Sequence, residues 1–191
     1  MNILIPKFIV GIGGSAGGLN AYKTFLGSLS MRTGMAFVIV SHILPTATSQ
    51  LAAILTNHTH MPVVVAANAM HLQANHVYVC PPDADLYVED GAFRVVIPRS
   101  KRNVQVDIFF TSLAKAMGKH AIGIVFSGYD GDGADGCKVI RANGGTNFAQ
   151  DTSAEGSGMP LSAQATGCVD FVLPPEEIAS RMLKLANTLG A

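Results

Sequence analysis

Three short segments, far apart in the chain, carry the residues best suited to chemistry. Ser15 lies in Gly13-Gly14-Ser15-Ala16-Gly17-Gly18, His42 follows Ser41 at the end of an apolar run, and Asp132 lies in Ser127-Gly128-Tyr129-Asp130-Gly131-Asp132-Gly133. Each follows a strand-like stretch: residues 8–10, 36–40 and 122–126. In an open α/β sheet, ligands bind outside the carboxyl ends of the strands, so the three side chains would meet at one edge. A hydroxyl, an imidazole and a carboxylate converging there form the arrangement of a serine hydrolase, which is recognised by roles rather than chain order.

Each segment also has a plainer explanation. Serine is a favoured helix N-cap, and glycines mark any tight turn. What favours Ser15 as a nucleophile is the pair of glycines on each side, which lets a substrate backbone approach closely. The N–H groups from Ala16 onward could also receive an oxyanion. Gly11-Ile12-Gly13-Gly14-Ser15-Ala16 satisfies the dinucleotide fingerprint as well. That fingerprint needs an acid about 20 residues on, and no Asp or Glu precedes Asp83. His58, His60, His71, His76 and His120 read as histidines without a task. His42 instead ends a buried strand beside the strand leading to Ser15, where a general base is needed. Asp130, Asp132 and Asp135 fit a turn. They also begin like a calcium loop, but Ala134 and Arg141 occupy its fifth and twelfth positions, so no metal is expected. The remaining role is for one of these aspartates to orient His42 at Nδ1 and stabilise its imidazolium.

The elements that must position these groups alternate between strand and helix signals, which argues for βαβ units and a parallel sheet. Leu19, Tyr22, Leu26 and Leu29 recur at helical spacing after the first strand. Residues 36–40 form a continuous β-rich run, as expected of a strand covered on both faces. A helix over about 49–56 and a strand at 63–65 follow. Residues 77–79, 86–88 and 93–97 read as short strands, and Asp90-Gly91 is a strong hairpin signal. The stretch 77–97 is therefore expected as antiparallel decoration on the parallel core. Val106, Phe110, Leu113 and Met117 mark a further helix. Another starts near Ala134 and ends at Gly144-Gly145. Late strands at 146–149 and 169–173 precede a closing helix over 176–189. The expected fold is a doubly wound, mostly parallel α/β sheet, Rossmann-like and three-layered, with an antiparallel hairpin insertion.

Composition narrows the function classes. At 191 residues, 49% of them hydrophobic and 14% charged, the chain suits one globular domain. Three basic residues before Asp83 are too sparse for a nucleic-acid footprint. No apolar run is long enough to cross a bilayer, and the apolar N-terminus carries Lys7 and reads as a strand rather than a signal peptide. Three cysteines without a Cys-x-x-Cys pair suit reduced thiols in a cytoplasmic protein.

Taken in order, the segments resemble the catalytic domain of the chemotaxis protein-glutamate methylesterases, the CheB type. Residues 13–18 are similar to the family's G-A-S-T-G-G nucleophile turn, residues 42–45 to its H-x-x-P, and residues 127–133 to its T-G-M-G-x-D-G. Gln150-Asp151 and Gly158-Met159-Pro160 are similar to a downstream Gln-Asp…Gly-Met-Pro pattern, so the likeness runs from about Phe8 to Leu183. It implies Ser15 as nucleophile, His42 as base and Asp132 as the catalytic carboxylate. It places Ala16, Tyr129 and Met159 around the oxyanion and substrate. The implied activity is removal of methyl groups from glutamyl methyl esters, with deamidation of glutamines as a second activity and no cofactor. The implied substrate is a methyl-accepting chemotaxis-type receptor, with signalling kinase and methyltransferase components as further partners. The chain departs from the pattern at Ala16, Ser41, Tyr129 and Asp130, and over residues 103–107. Only seven residues precede the first strand, so no receiver domain is expected. The alternatives are a non-catalytic module that binds receptor or kinase helices on this scaffold, and a nucleotide- or phosphate-binding Rossmann-like domain.

Overall fold

The computed structural model of the chain describes residues 4–42 and 50–190. Pro45 and Ser49, the expected start of the second helix, lie outside them. The core is a seven-stranded parallel sheet in the order β3-β4-β2-β1-β7-β8-β9. Its strands are β1 (Phe8–Gly14), β2 (Met35–Ser41), β3 (Val63–Val65), β4 (His76–Val79), β7 (Ala121–Val125), β8 (Thr146–Gln150) and β9 (Phe171–Leu173). The chain starts in the middle with β1 and winds outward in both directions. β1 therefore has β2 on one side and β7 on the other, with Gly14 opposite Ser41 and Gly13 opposite Val125. The three site segments leave adjacent strands at the same edge.

Both faces of the sheet are covered, which is why its strands are continuously apolar. Phe8, Val10 and Ile12 join one core with α1 (Gly18–Gly27) and α6 (Pro175–Gly190). Burying Phe25 and Leu26 of α1 contributes roughly 1.5–3 kcal/mol per side chain. Ile9, Val38 and Val125 join the other core with α3 (Gln105–Met117) and α4 (Ala134–Ala142). α2 (Gln50–Thr56) adds Leu55 to the first core, and α5 (Gly158–Ala165) adds Met159 to the second.

The middle of the chain differs from its sequence reading in one respect. Val77 to Val79 belong not to antiparallel decoration but to β4, which pairs in parallel with both β2 and β3. Val77 and Val79 face one core there and Tyr78 the other, because the strand has a neighbour on each side and cover on both faces. Only β5 (Asp85–Glu89) and β6 (Ala92–Val96) form the antiparallel pair. Asp90 and Gly91 join them, both with positive φ (50° and 75°), the backbone a tight two-residue hairpin turn requires.

β1 carries glycines where α3 crosses it. A Cβ at Gly11 would stand 2.9 Å from Phe110, and one at Gly13 would overlap Val106 Cγ1. Lacking them, α3 sits directly on the strand and brings its N-terminus to the site edge. Gly13→Ala should therefore destabilise the fold by about 1–3 kcal/mol, measured as the urea midpoint, through overpacking. In the Gly13→Ala/Val106→Ala pair the loss should be smaller than the sum of the two single losses. Simple additivity would mean that α3 does not rest on β1 at this point.

Candidate active site

Ser15 sits in the turn between β1 and α1, half-buried. The turn is pinned from the β7 side. Ser15 N–H donates to Ser127 O at 2.8 Å, and Ser127 Oγ donates to Ala16 O at 3.1 Å while accepting the Gly156 N–H at 2.7 Å. Gly17, at φ 79°, precedes the helix, and a Cβ there would press on Ser127 Oγ at 2.6 Å. Tyr22 packs beneath, where a Cβ at Gly14 would overlap its hydroxyl. The glycines thus serve close approach within the protein as much as access for a substrate.

Ala16 is exposed, and its N–H and that of Gly17 have no acceptor among the described residues. The same holds for the N–H of Tyr129, whose side chain is 68% exposed. Met159 is different. It is fully buried, its N–H donates to Gly128 O at 2.9 Å, and its thioether lies so close under Gly128 that a Cβ there would overlap it. It supports the loop from below and presents no side chain to solvent.

His42 follows the last residue of β2, with its side chain 8% exposed. Its Nε2 is 2.6 Å from Asp132 Oδ2. The Asp132 side chain is wholly buried and is held twice more, by Val106 N–H to Oδ2 at 3.0 Å and by Asp107 N–H to Oδ1 at 2.9 Å. These donors open α3, whose own N-cap residue, Val104, has no side chain to do so. Asp132 thus caps a helix that begins some 27 residues earlier in the chain, as only tertiary packing can arrange.

Two features differ from the sequence reading. Asp132 engages Nε2 rather than Nδ1, because the carboxylate lies deep at the helix start and the far end of the ring reaches it. Asp130, read as a turn residue, does hold the turn, since its Oδ1 accepts the Asp132 N–H at 3.0 Å. Its Oδ2, however, stands 3.0 Å from His42 Nδ1. That contact is close enough for an ion pair but lacks the alignment of a hydrogen bond, and Nδ1 has no hydrogen-bond partner among the described residues. Asp135 points away and pairs with Lys138 on the surface.

The electrostatics follow from these contacts. Burial works against a charged His42, but the Asp132 hydrogen bond and the charges of Asp130 and Asp132 outweigh it and hold the imidazole pKa above its ordinary 6.5. Burial pushes the Asp107 carboxyl up to about 6, opposed by the Gly136 N–H that it accepts and reinforced by the charges of Asp132 and Asp135. Among the described residues no three His, Cys, Asp or Glu side chains are grouped to hold a metal ion. No described helix is long and apolar enough to cross a membrane.

Sequence reasoning did not foresee Ser127 as the brace of the Ser15 turn, nor the α3 N–H groups as the seat of Asp132. Ser127 had a signal, since it opens the glycine loop. The α3 donors are backbone atoms and leave none.

The profile of the CheB methylesterase family matches residues 10–182. A Leptospira interrogans relative is 34% identical over 91% of this chain and 92% of its own length. The Rhodospirillum rubrum protein-glutamate methylesterase/protein-glutamine glutaminase 1 is 33% identical over 94% of this chain, and its Methanospirillum hungatei counterpart 2 is likewise 33% identical over 94%. The chain spans about half the length of those two, 49% and 52%. The crystal structure of the Thermotoga maritima CheB methylesterase catalytic domain superposes with a TM-score of 0.85 at 26% identity, covering 93% of this chain and 98% of that one.

Ser127→Ala should leave the Gly156 N–H without its buried partner and remove the side-chain tie on the Ser15 turn. A loss of about 1–3 kcal/mol in unfolding free energy is expected. An unchanged denaturation midpoint would mean that the turn is held elsewhere.

Proposed function

Because this chain belongs to the CheB methylesterase family, we propose that it is a serine-type hydrolase of glutamyl methyl esters on receptor-type proteins, with Ser15, His42 and Asp132 as its triad. The observation that carries this reading is the buried His42–Asp132 pair at 2.6 Å, beside a serine held in a braced, glycine-walled turn at the same sheet edge. A histidine oriented by a carboxylate that cannot move is what a general base requires.

In this reading the Ser15 Oγ proton passes to His42 Nδ1, since Nε2 is committed to Asp132. Oγ bonds to the ester carbonyl carbon, and the oxygen takes up the charge. The N–H groups of Ala16 and Tyr129, which lack acceptors among the described residues, supply donors for it. Collapse of the tetrahedral intermediate breaks the bond to the methoxy oxygen, which leaves as methanol with the proton from His42. Water then attacks the acyl-serine, His42 takes its proton and returns it to Ser15, and a free glutamate is released. An amide follows the same path with ammonia leaving, which is the glutaminase reaction. The pair of glycines on each side of Ser15 suits a small esterified side chain presented by a protein surface, and remote contacts with that surface can lower the barrier.

Ser15→Ala and His42→Ala should each lower methanol release from a methylated receptor fragment by roughly 10³-fold or more, because the members act as a unit. Asp132→Asn should be damaging and Asp135→Asn mild. Near-normal turnover by the Ser15 or His42 variant would overturn the mechanism. The methylated receptor fragment should also be a much better substrate than a p-nitrophenyl ester. Equal kcat/KM on the two would replace the receptor reading with that of a general esterase.

A further inference from the structure

We infer that Asp130 is a positioning residue that holds His42 Nδ1 in a resting arrangement and must let it go before Ser15 can be activated. The inference rests on His42 being the general base. Its physical content is the count of carboxylates around one imidazole ring. Nε2 faces Asp132 at 2.6 Å, and Asp132 has no freedom to withdraw, since its oxygens also accept the Val106 and Asp107 N–H groups. Nδ1 is then the nitrogen left to take the Ser15 proton. Asp130 Oδ2 stands 3.0 Å from it.

An imidazolium satisfies both carboxylates. A neutral imidazole cannot, because it has one N–H to donate and Asp132 takes it. Its bare Nδ1 would then set a lone pair against the Asp130 oxygen, acceptor against acceptor. The form that Ser15 needs is therefore the form that Asp130 disfavours. The contact is not a chance of a loose side chain, because Asp130 Oδ1 is tied to the Asp132 N–H at 3.0 Å, which keeps the other oxygen beside Nδ1. Its side chain is 27% exposed, so it can swing toward water when something displaces it, whereas Asp132 cannot.

The other groups around the ring do not supply an alternative. From α3 come only backbone N–H groups, since the Asp107 carboxylate is turned to Gly136. The turn after β1 carries Ser15 and β2 ends in Ser41, and neither brings a charge. Among the described residues the charges that act on His42 are those of Asp130 and Asp132, both of which favour the imidazolium. Asp130 stands where the family pattern has glycine, so the device distinguishes this chain from its pattern.

The test uses the whole chain with isotope-labelled histidine. The His42 ring is titrated by NMR in the unaltered protein and in Asp130→Asn, Asp130→Gly and Asp135→Asn. Asn keeps the Oδ1 acceptor for the Asp132 N–H, and Gly restores the family residue, so between them the turn is preserved. Both Asp130 variants should titrate at lower pH than the unaltered protein, and Asp135→Asn should not move. The acid limb of kcat/KM for methanol release should shift down by the same interval. Below the midpoint, kcat/KM should rise by about tenfold for each unit of that shift. A His42 titration unmoved by both Asp130 variants overturns the inference, as does a change confined to KM with the acid limb in place. Should the unaltered protein release no methanol at all, the functional reading fails, while the ring titration still decides for or against the Asp130 contact.

Discussion

A carboxylate cannot be taken out of water unless its oxygens are given donors, and the Asp132 side chain is wholly out of water. The rest of the site is arranged around meeting that demand. Two donors are the opening N–H groups of α3, so α3 must begin where Asp132 ends. For that the helix must lie directly on β1, which the missing side chains at Gly11 and Gly13 allow. The third donor is the His42 ring, so β2 must end one residue before it, beside the turn that carries Ser15. One buried charge thus ties together a helix, three strand ends and two loops.

The loop after β7 does more than deliver Asp132. Near its start, Ser127 reaches across to brace the turn after β1 with both its carbonyl and its hydroxyl. Met159 and Gly158 pack so tightly against Gly128 and Tyr129 that side chains at either glycine would overlap what lies there or crowd it. The turn that carries Ser15 and the loop that carries Asp132 are therefore one braced unit. For the proposed triad such bracing matters, because a reacting group misplaced by about 1 Å can lose roughly a hundredfold in rate.

The same loop makes the neighbourhood of His42 unusually acidic. Asp107, Asp130 and Asp132 lie close together, and the basic partners in this region, such as Lys138, serve Asp135 at the surface. The imidazolium is what balances this charge. With the folded His42 pKa above its unfolded value, its pairing stabilises the fold fully below about 6.5 and is lost as pH rises through the higher folded value. Stability and the population of the neutral imidazole thus run in opposite directions across that window.

Much of this was legible in the residue order. Continuous apolar runs announced strands covered on both faces, Asp90-Gly91 announced its hairpin, and the glycine-flanked Ser15, the strand-ending His42 and the Asp132 loop announced a site at one sheet edge. Those are local signals, set by backbone freedom and by side-chain periodicity. β4 was misread because a short apolar run looks the same whether its neighbour is parallel or antiparallel, and only the gap between β2 and β3 decides. The roles of Asp130 and of the α3 N–H groups were illegible for a related reason. Turn propensity explains an aspartate from its immediate neighbours, but which oxygen meets which ring nitrogen depends on where three separately packed elements come to rest. The residue order determined which chemical groups reach the edge. Only the tertiary structure decided how the imidazole is turned and how many carboxylates share it.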